Sequence, residues 1–326
     1  MIQVLCLRPE ADFIRVGAEP PATLSVIFRN PADADVPELM KRSRALVIPA
    51  VGPKLPASLF EETRIELVQV TGAGLDRLDL AALERFGITV ANIPGGSSRP
   101  VAEYAVTAAT FLLRRFAWAD TGIRGGTYVQ TRAAILDANL SGLDNLLVGI
   151  VGLGTIGLAV ARAFHGLGGR ICYFDPAPLR DAEAARALSA RPLALDDLLT
   201  TADVVTLHVP LVPETRNLIA DRELRLMKDG LVLIHASRGG VVDEAALAAH
   251  LMSGHLGGAA VDVYSREPPG PDNPLLQIDG AAAHRLLLTP HIAGVTRQSA
   301  TYLLRSAWSN VERILGRAES ARPTRT

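Results

Sequence analysis

A chain of 326 residues, 48% hydrophobic and only 5% aromatic, is long enough for two packed domains and too apolar for a disordered chain. A formal charge of -1, with acids and bases spread throughout, excludes the polybasic surface of a nucleic-acid or membrane binder. Two cysteines, Cys6 and Cys172, both inside predicted strands, exclude a disulfide framework and read as core filler. The first residues, Met1 to Leu7, read as a strand without a basic leader or a small-residue cleavage site, so no secretory signal is expected. The longest apolar stretch, 101–119, carries Glu103, Arg114 and Arg115, which suits a partly buried helix better than a membrane span. A cytoplasmic protein is expected, with neither nucleic acid nor membrane as partner.

In chain order, short apolar runs at 2–7, 24–28, 45–48, 67–70 and 88–91 alternate with helical segments at 36–42, 57–62 and 80–86. That alternation argues for a parallel sheet with helices on its faces. Directly after the fourth run comes Thr71-Gly72-Ala73-Gly74, at the strand end where open α/β sheets take their ligands. Its backbone is bare enough for a small anion to sit on the N–H groups; a plain strand-to-helix turn would look the same. The Pro-, Gly- and Ser-rich stretch 92–100 marks the crossing into a second domain and a long helix over 101–119, with Pro100 suited to its first turn. The weakly periodic, glycine-containing region 120–143 is expected to be an extended arm that embraces a second subunit.

The second domain is organised around residues 146–175. An apolar run, Leu146 to Val151, leads into Gly152-Leu153-Gly154-Thr155-Ile156-Gly157, then a helical pattern over 158–167, then the strand 170–174 ending on Asp175. In such a fingerprint the first glycine permits the tight turn, the second lets backbone approach a pyrophosphate, and the third lets helix and strand pack closely. The helix N-terminus offers its N–H groups to phosphates. Asp175 would accept hydrogen bonds from a ribose and repel a 2′-phosphate, favouring NAD over NADP. Further strands are expected at 204–208, 231–235, 258–262 and 285–289, with helices at 178–189, 194–201 and 243–253. The helical segment 298–315 should return to the first domain, and the polar tail 316–326 should fray. The fold class is therefore α/β, with two doubly wound parallel-sheet domains: a Rossmann domain (99–294) inserted into a flavodoxin-like domain (1–98 and 295–326).

Three residues follow three successive strands of the second domain: Arg238, Glu267 and His291. Their strands end at the same edge as the glycine-rich turn. A guanidinium can hold a carboxylate and polarise a carbonyl. An imidazole can protonate a developing alkoxide, and a carboxylate can fix its tautomer. Reduction of a 2-oxo acid by a nicotinamide needs those functions. Of the other histidines, His284 is the serious competitor to His291, but it precedes the last strand and would lie at the opposite end. No Cys/His cluster has metal-ligand spacing, and no metal is expected.

At this point the chain resembles the D-isomer-specific 2-hydroxyacid dehydrogenases, from about residue 45 to 315. The likeness rests on Gly72-Ala73-Gly74-Leu75-Asp76, Val101-Ala102-Glu103, Gly152 to Gly157 with Asp175, and His208-Val209-Pro210-Leu211 with Glu214-Thr215. It also rests on Ser237-Arg238-Gly239-Gly240 with Val242-Asp243, Asp262-Val263 with Glu267-Pro268, and Pro290-His291. The resemblance implies Arg238, Glu267 and His291 as catalytic residues. It implies Gly72, Ala73 and Gly74 as donors to the substrate carboxylate, beside Arg238 and His291. It places Gly152, Gly154, Thr155, Ile156, Gly157 and Asp175 on NAD. His208, Val209, Pro210, Thr215, Ala236, Ser237, Arg238, Asp262, His291 and Gly294 would line the cofactor cleft, with Asp262 near the nicotinamide carboxamide. A small 2-hydroxy or 2-oxo acid is the implied substrate, and a homodimer the implied assembly. Two departures stand out: His235 begins a His-Ala-Ser-Arg run where the family usually has Asn-x-Ala/Ser-Arg, and Thr155 stands where Arg is common. The alternatives are an NAD(H)-sensing protein of the corepressor type, a formate dehydrogenase, which would carry Gln at 267, and a paralogue that binds NAD without turnover.

Overall fold

Near-continuous apolar runs, with successive side chains on opposite sides, give each sheet two hydrophobic faces. Helices cover both faces in the computed structural model of the chain, which describes residues 1–177, 179 and 181–320. The chain divides into two units, Met1–Ser97 with the segment from Val295, and Ser98–Gly294.

The first unit runs β1 (Ile2–Cys6), α1 (Glu10–Ile14), β2 (Leu24–Phe28), α2 (Val36–Met40), β3 (Ala45–Ile48), β4 (Leu67–Val70), α3 (Leu80–Arg85) and β5 (Thr89–Ala91). Its strands are parallel and ordered β2-β1-β3-β4-β5. Val4, Cys6 and Val47 face one core, where Phe13 meets Leu304, Trp308 and Val311 of the last helix. The Phe13 and Trp308 rings stack with centroids 4.8 Å apart, and the Trp308 indole donates to the Ala18 carbonyl at 2.9 Å. That apolar stripe brings the last helix back to the first unit. Leu5, Leu46, Ile48 and Val68 face the opposite core with Val36, Met40, Phe60 and Leu83. The segment expected to be a helix over 57–62 is a single 3₁₀ turn, Ala57–Phe60, held between Pro56 and the buried Phe60. The five residues of α1 are too few for a helical period to show.

The second unit starts with α4 (Ser98–Leu113), α5 (Phe116–Arg124) and α6 (Tyr128–Asp137). It continues with β6 (Leu147–Val151), α7 (Thr155–His165), β7 (Arg170–Phe174), α8 (Ala182–Ala187), β8 (Arg191–Pro192), α9 (Leu195–Thr201) and β9 (Val204–Leu207). After these come α10 (Asp221–Leu226), β10 (Val232–His235), α11 (Glu244–Ser253), β11 (Gly258–Val261), α12 (Gly280–Ala283) and β12 (Leu286–Leu288). The strands are parallel in the order β12-β11-β10-β9-β6-β7-β8. Val148, Ile150, Val204 and Ile234 pack under α4 and α7, while Val151, Val205, Leu207 and Leu233 pack under α9 to α11. Burial pushes the thiols of Cys6 and Cys172 up, to about 12 and about 11, in keeping with core residues.

Several expectations fail here. The helix expected over 101–119 is two helices, broken where Arg115 adopts a left-handed backbone with φ of 50°. The extended arm expected over 120–143 is a helical hairpin of α5 and α6. A side chain at Gly122 would come within 2.1 Å of Thr131 Oγ1, so that glycine lets the two helices press together. Of the glycines that blurred the periodicity, Gly122 serves close packing, while Gly126 turns the chain at φ of 73°. The final helix α13 (Arg297–Ser320) also runs further than the expected 298–315. The fraying expected from residue 316 does not occur through residue 320, and 321–326 lie outside the described residues, as does Pro178 at the start of the expected 178–189 helix. No described helix is long and apolar enough to cross a membrane.

Candidate active site

In the second unit the strand order reverses between β6 and β9, and ligands of open α/β sheets bind at such a reversal. The three glycines after β6 do separate jobs there. Gly152 has a left-handed φ of 90°, and a Cβ on it would meet the His208 carbonyl oxygen at 2.7 Å. A Cβ on Gly157 would lie 2.0 Å from the Gly152 oxygen, so the start of α7 packs directly on the turn. A Cβ on Gly154 would meet nothing within 4 Å, which leaves its backbone open to an approaching group. The N–H groups of Gly154, Thr155 and Ile156 have no partner among the described residues, as first-turn donors awaiting an anion should. Asp175 Oδ2 accepts from Leu153 N at 2.8 Å and Oδ1 from Ala177 N at 3.0 Å. Those two bonds tie the carboxylate to the turn and leave lone pairs for a ribose. The turn therefore fits a dinucleotide pyrophosphate followed by an adenosine ribose.

The loop after β9 carries the residues expected to line the cofactor cleft. Thr215 Oγ1 donates to the Pro210 carbonyl at 2.6 Å and accepts from Val212 N at 2.9 Å, so its hydroxyl shapes the loop. The Val209 side chain would lie 2.9 Å from a Cβ on Gly152. His208 Nε2 lies 2.9 Å from Thr206 Oγ1, and His235 Nδ1 lies 3.3 Å from Ser237 Oγ. Burial lowers both imidazoles to about 3, with the neighbouring His208 adding to the shift of His235. His208 keeps some surface, and His235 is the more enclosed of the two.

Three loops at the carboxyl ends of β10, β11 and β12 bring Arg238, Glu267 and His291 to one edge. A Cβ on Gly239 would lie 1.7 Å from the Tyr264 oxygen, so only glycine lets the Arg238 loop abut the Glu267 loop. Half-buried Arg238 donates from Nη1 to the Ser237 carbonyl at 2.7 Å, which fixes its stem. Glu267 Oε1 accepts from Tyr264 N at 3.1 Å. Its carboxylate lies 2.9 and 3.1 Å from His291 Nδ1. An imidazole bonded this way carries its Nδ1 proton toward the acid and leaves Nε2 for proton exchange with a ligand. His291 sits at φ of 56°, a left-handed backbone that a non-glycine residue adopts at a cost of roughly 1–2 kcal/mol.

A buried network holds that conformation. Asp262 Oδ1 accepts from Thr289 Oγ1 at 2.6 Å and Ile292 N at 2.8 Å, and Oδ2 accepts from Ala293 N at 2.8 Å. His291 N donates to the Asp262 carbonyl at 2.8 Å. With its proton given to Asp262, Thr289 Oγ1 accepts from the Tyr104 hydroxyl at 2.7 Å. Asp262, expected near the cofactor, is thus the anchor of the His291 loop. Glu244, at the start of α11, holds the loop of Glu267 through Ser265 N and Asn273 Nδ2 at 2.7 Å. Glu244, Thr289 and Tyr104 escaped the sequence reading because their contacts span 21 to 185 positions. The one trace was Glu244 next to the capping Asp243, a first-turn pattern. No three His, Cys, Asp or Glu among the described residues are grouped to hold a metal.

In the first unit, the N–H groups of Gly72, Ala73 and Gly74 have no partner among the described residues, although Gly72 is buried. The turn is braced from outside: Ile93 N donates to the Gly72 oxygen at 2.9 Å and Asn92 Nδ2 to the Ala73 oxygen at 2.6 Å. Successive free N–H groups on a fixed turn form a small anion nest. The neighbouring loop is pinned by buried Arg77, which donates to the Pro49 and Pro53 carbonyls at 2.8 and 2.9 Å.

Residues 106–293 match the family model described as "D-isomer specific 2-hydroxyacid dehydrogenase, NAD binding domain". The chain belongs to this family. Its glycine-rich turn is therefore that of an NAD-binding domain. Among curated relatives, the D-3-phosphoglycerate dehydrogenase of Archaeoglobus fulgidus is 35% identical over 76% of this chain and 45% of its own length. The chain thus spans less than half of that relative. The (S)-sulfolactate dehydrogenase of Chromohalobacter salexigens is 40% identical over 75% of this chain and 76% of its own. Among solved structures, D-lactate dehydrogenase from Aquifex aeolicus, complexed with NAD and lactic acid, aligns with a TM-score of 0.82 at 25% identity. That alignment covers 98% of this chain and 97% of that one.

Proposed function

We propose that this family member is an NAD-dependent oxidoreductase that interconverts a small D-2-hydroxy acid and its 2-oxo acid. The observation that carries the reading is the His291–Glu267 pair, held on a left-handed backbone at the strand edge that also bears the dinucleotide turn. Bound NADH supplies the hydride that adds to the substrate C2. Glu267, bonded to Nδ1, stabilises the imidazolium, and His291 Nε2 gives its proton to the oxygen as charge develops there. Arg238 holds the substrate carboxylate and polarises the carbonyl. In the first unit, the Gly72–Gly74 N–H groups receive a carboxylate. In the oxidative direction His291 takes the proton back.

The test is NADH oxidation followed by absorbance with glyoxylate, hydroxypyruvate, pyruvate and bulkier 2-oxo acids. Turnover with at least one small acid is the expected result. Binding of NADH without turnover of any of them would replace the enzyme with a corepressor-type sensor.

The assembly belongs to the same proposal. The α5–α6 hairpin exposes Phe116, Ile123, Tyr128, Val129 and Leu136, with Val129 72% exposed. A second copy of the chain covers these side chains in a homodimer. Sedimentation of Val129→Glu should show a shift toward monomer, and an unshifted dimer would refute the hairpin's role.

A further inference from the structure

In a sheet ordered β2-β1-β3-β4-β5, the strand order reverses between β1 and β3, and ligands of open α/β sheets bind at the carboxyl ends of strands at such a reversal. Arg8 is the second residue beyond β1 and reaches across that reversal. Its Nε donates to Asp12 Oδ2 at 2.9 Å and its Nη1 to Thr71 Oγ1 at 3.2 Å. Thr71 immediately precedes the Gly72–Gly74 turn, so the guanidinium extends past the end of β3 to the rim of the anion nest. Nη2 has no partner among the described residues. The side chain is 26% exposed and borders a groove of about 470 Å³ at the ends of β1 and β2. On the turn itself, Ala50 packs so closely that a Cβ on Gly72 would come within 2.7 Å of the Ala50 Cβ, leaving an apolar wall there.

We propose that Arg8 is a specificity-determining residue that donates a hydrogen bond to a hydroxyl on C3 of the substrate. The proposal rests on the reading of the Gly72–Gly74 turn as the carboxylate site. With the carboxylate on that turn, a three-carbon acid spans roughly 4–5 Å, enough to bring its C3 oxygen to a guanidinium already bonded to Thr71. Asp12, at 2.9 Å and shared with Arg15 at 3.3 Å, offsets part of the guanidinium charge, and the one Arg8 side chain that remains suits a neutral hydroxyl better than a dianion. A site built to donate to a hydroxyl discriminates strongly against the analogue that lacks it, because its donor is left unmet. Hydroxypyruvate is therefore preferred to pyruvate, and to 3-phosphohydroxypyruvate as well.

The experiment measures kcat/KM with NADH for these three acids on the full chain and on Arg8→Met. The ratio of hydroxypyruvate to pyruvate within one preparation cancels any difference in the fraction of folded protein. The wild-type ratio should be about tenfold or more, and Arg8→Met should reduce it by about tenfold. Should Arg8→Met be insoluble, Arg8→Lys takes its place, because a shorter single-point cation must reduce the ratio by at least about threefold. An unchanged ratio in the soluble variant overturns the Arg8 role, as does a wild type that favours pyruvate or the phosphorylated acid. A wild type that turns over none of the three but does reduce other 2-oxo acids also overturns it and spares the oxidoreductase reading. A wild type inert toward every 2-oxo acid removes both.

Discussion

The two glycine-rich turns look alike in sequence and differ in what surrounds them. After β6, each glycine has a steric duty: one turns the chain under His208, one stays open, and one lets α7 start against the turn. An eleven-residue helix follows at once, so its unpaired first-turn N–H groups face the same way. After β4, the chain makes a tight turn whose three N–H groups have no partner among the described residues, and α3 does not begin until Leu80. The first arrangement suits an extended pyrophosphate at a helix end, and the second suits a single small carboxylate in a nest. Counting glycines does not separate them; the steric neighbours and the following element do.

The largest effect should come from filling the tightest contact in these two turns. Gly157→Val forces a side chain into a position 2.0 Å from the Gly152 oxygen. NADH affinity should fall by at least about 100-fold, since overpacking shifts the turn itself. Retained NADH binding by fluorescence titration would mean that the turn does not hold the cofactor. Asp175→Ala should raise the NADPH-to-NADH ratio of kcat/KM by about 10- to 100-fold, because a carboxylate that repels a 2′-phosphate is gone. An unchanged ratio would discredit that role. For the other turn, Gly72→Ala meets Ala50 and should raise KM for the 2-oxo acid by about tenfold while NADH affinity moves far less. Parallel losses of both would erase the distinction between the turns.

The smallest effect concerns pH. His235 is lowered to about 3 by burial and by His208, and it faces the hydroxyls of Ser237 and, through His208, Thr206. Unfolded, the imidazole takes up its proton near 6.5, while the folded state refuses it until about 3. The unfolded chain therefore binds more protons in that window. The stability from the neutral ring is complete above about 6.5 and is lost as pH falls toward 3. Tm should drop between pH 7 and pH 5, and the drop should be shallower in His235→Asn; equal slopes would show that this ring does not set the dependence.

Much of the fold was legible because short apolar runs and glycine turns are local signals. The strands 24–28, 45–48, 67–70 and 170–174 fall where their apolar runs lie. The hairpin of α5 and α6 was not legible, because the glycine that permits its close packing also breaks its periodicity. The two-residue strand β8 and the five-residue helix α1 are too short to carry a pattern. Of the proposed site residues, Arg238, Glu267 and His291 stand out in the sequence by their place after successive strands. The roles of Asp262, Thr289, Tyr104 and Glu244 do not, because they arise from bonds to distant backbone and hydroxyl groups. Arg8 escaped for the same reason: only the folded sheet brings it beside Thr71.

The proposed reduction depends on His291 Nε2 handing a proton to the substrate oxygen while Glu267 holds Nδ1. Single-turnover NADH oxidation with a saturating 2-oxo acid, compared between wild type and His291→Asn, tests it most directly. The rate should fall about 10²- to 10⁴-fold, the usual range for losing a positioned general acid. A His291→Asn protein that reduces the acid at the wild-type rate would contradict it.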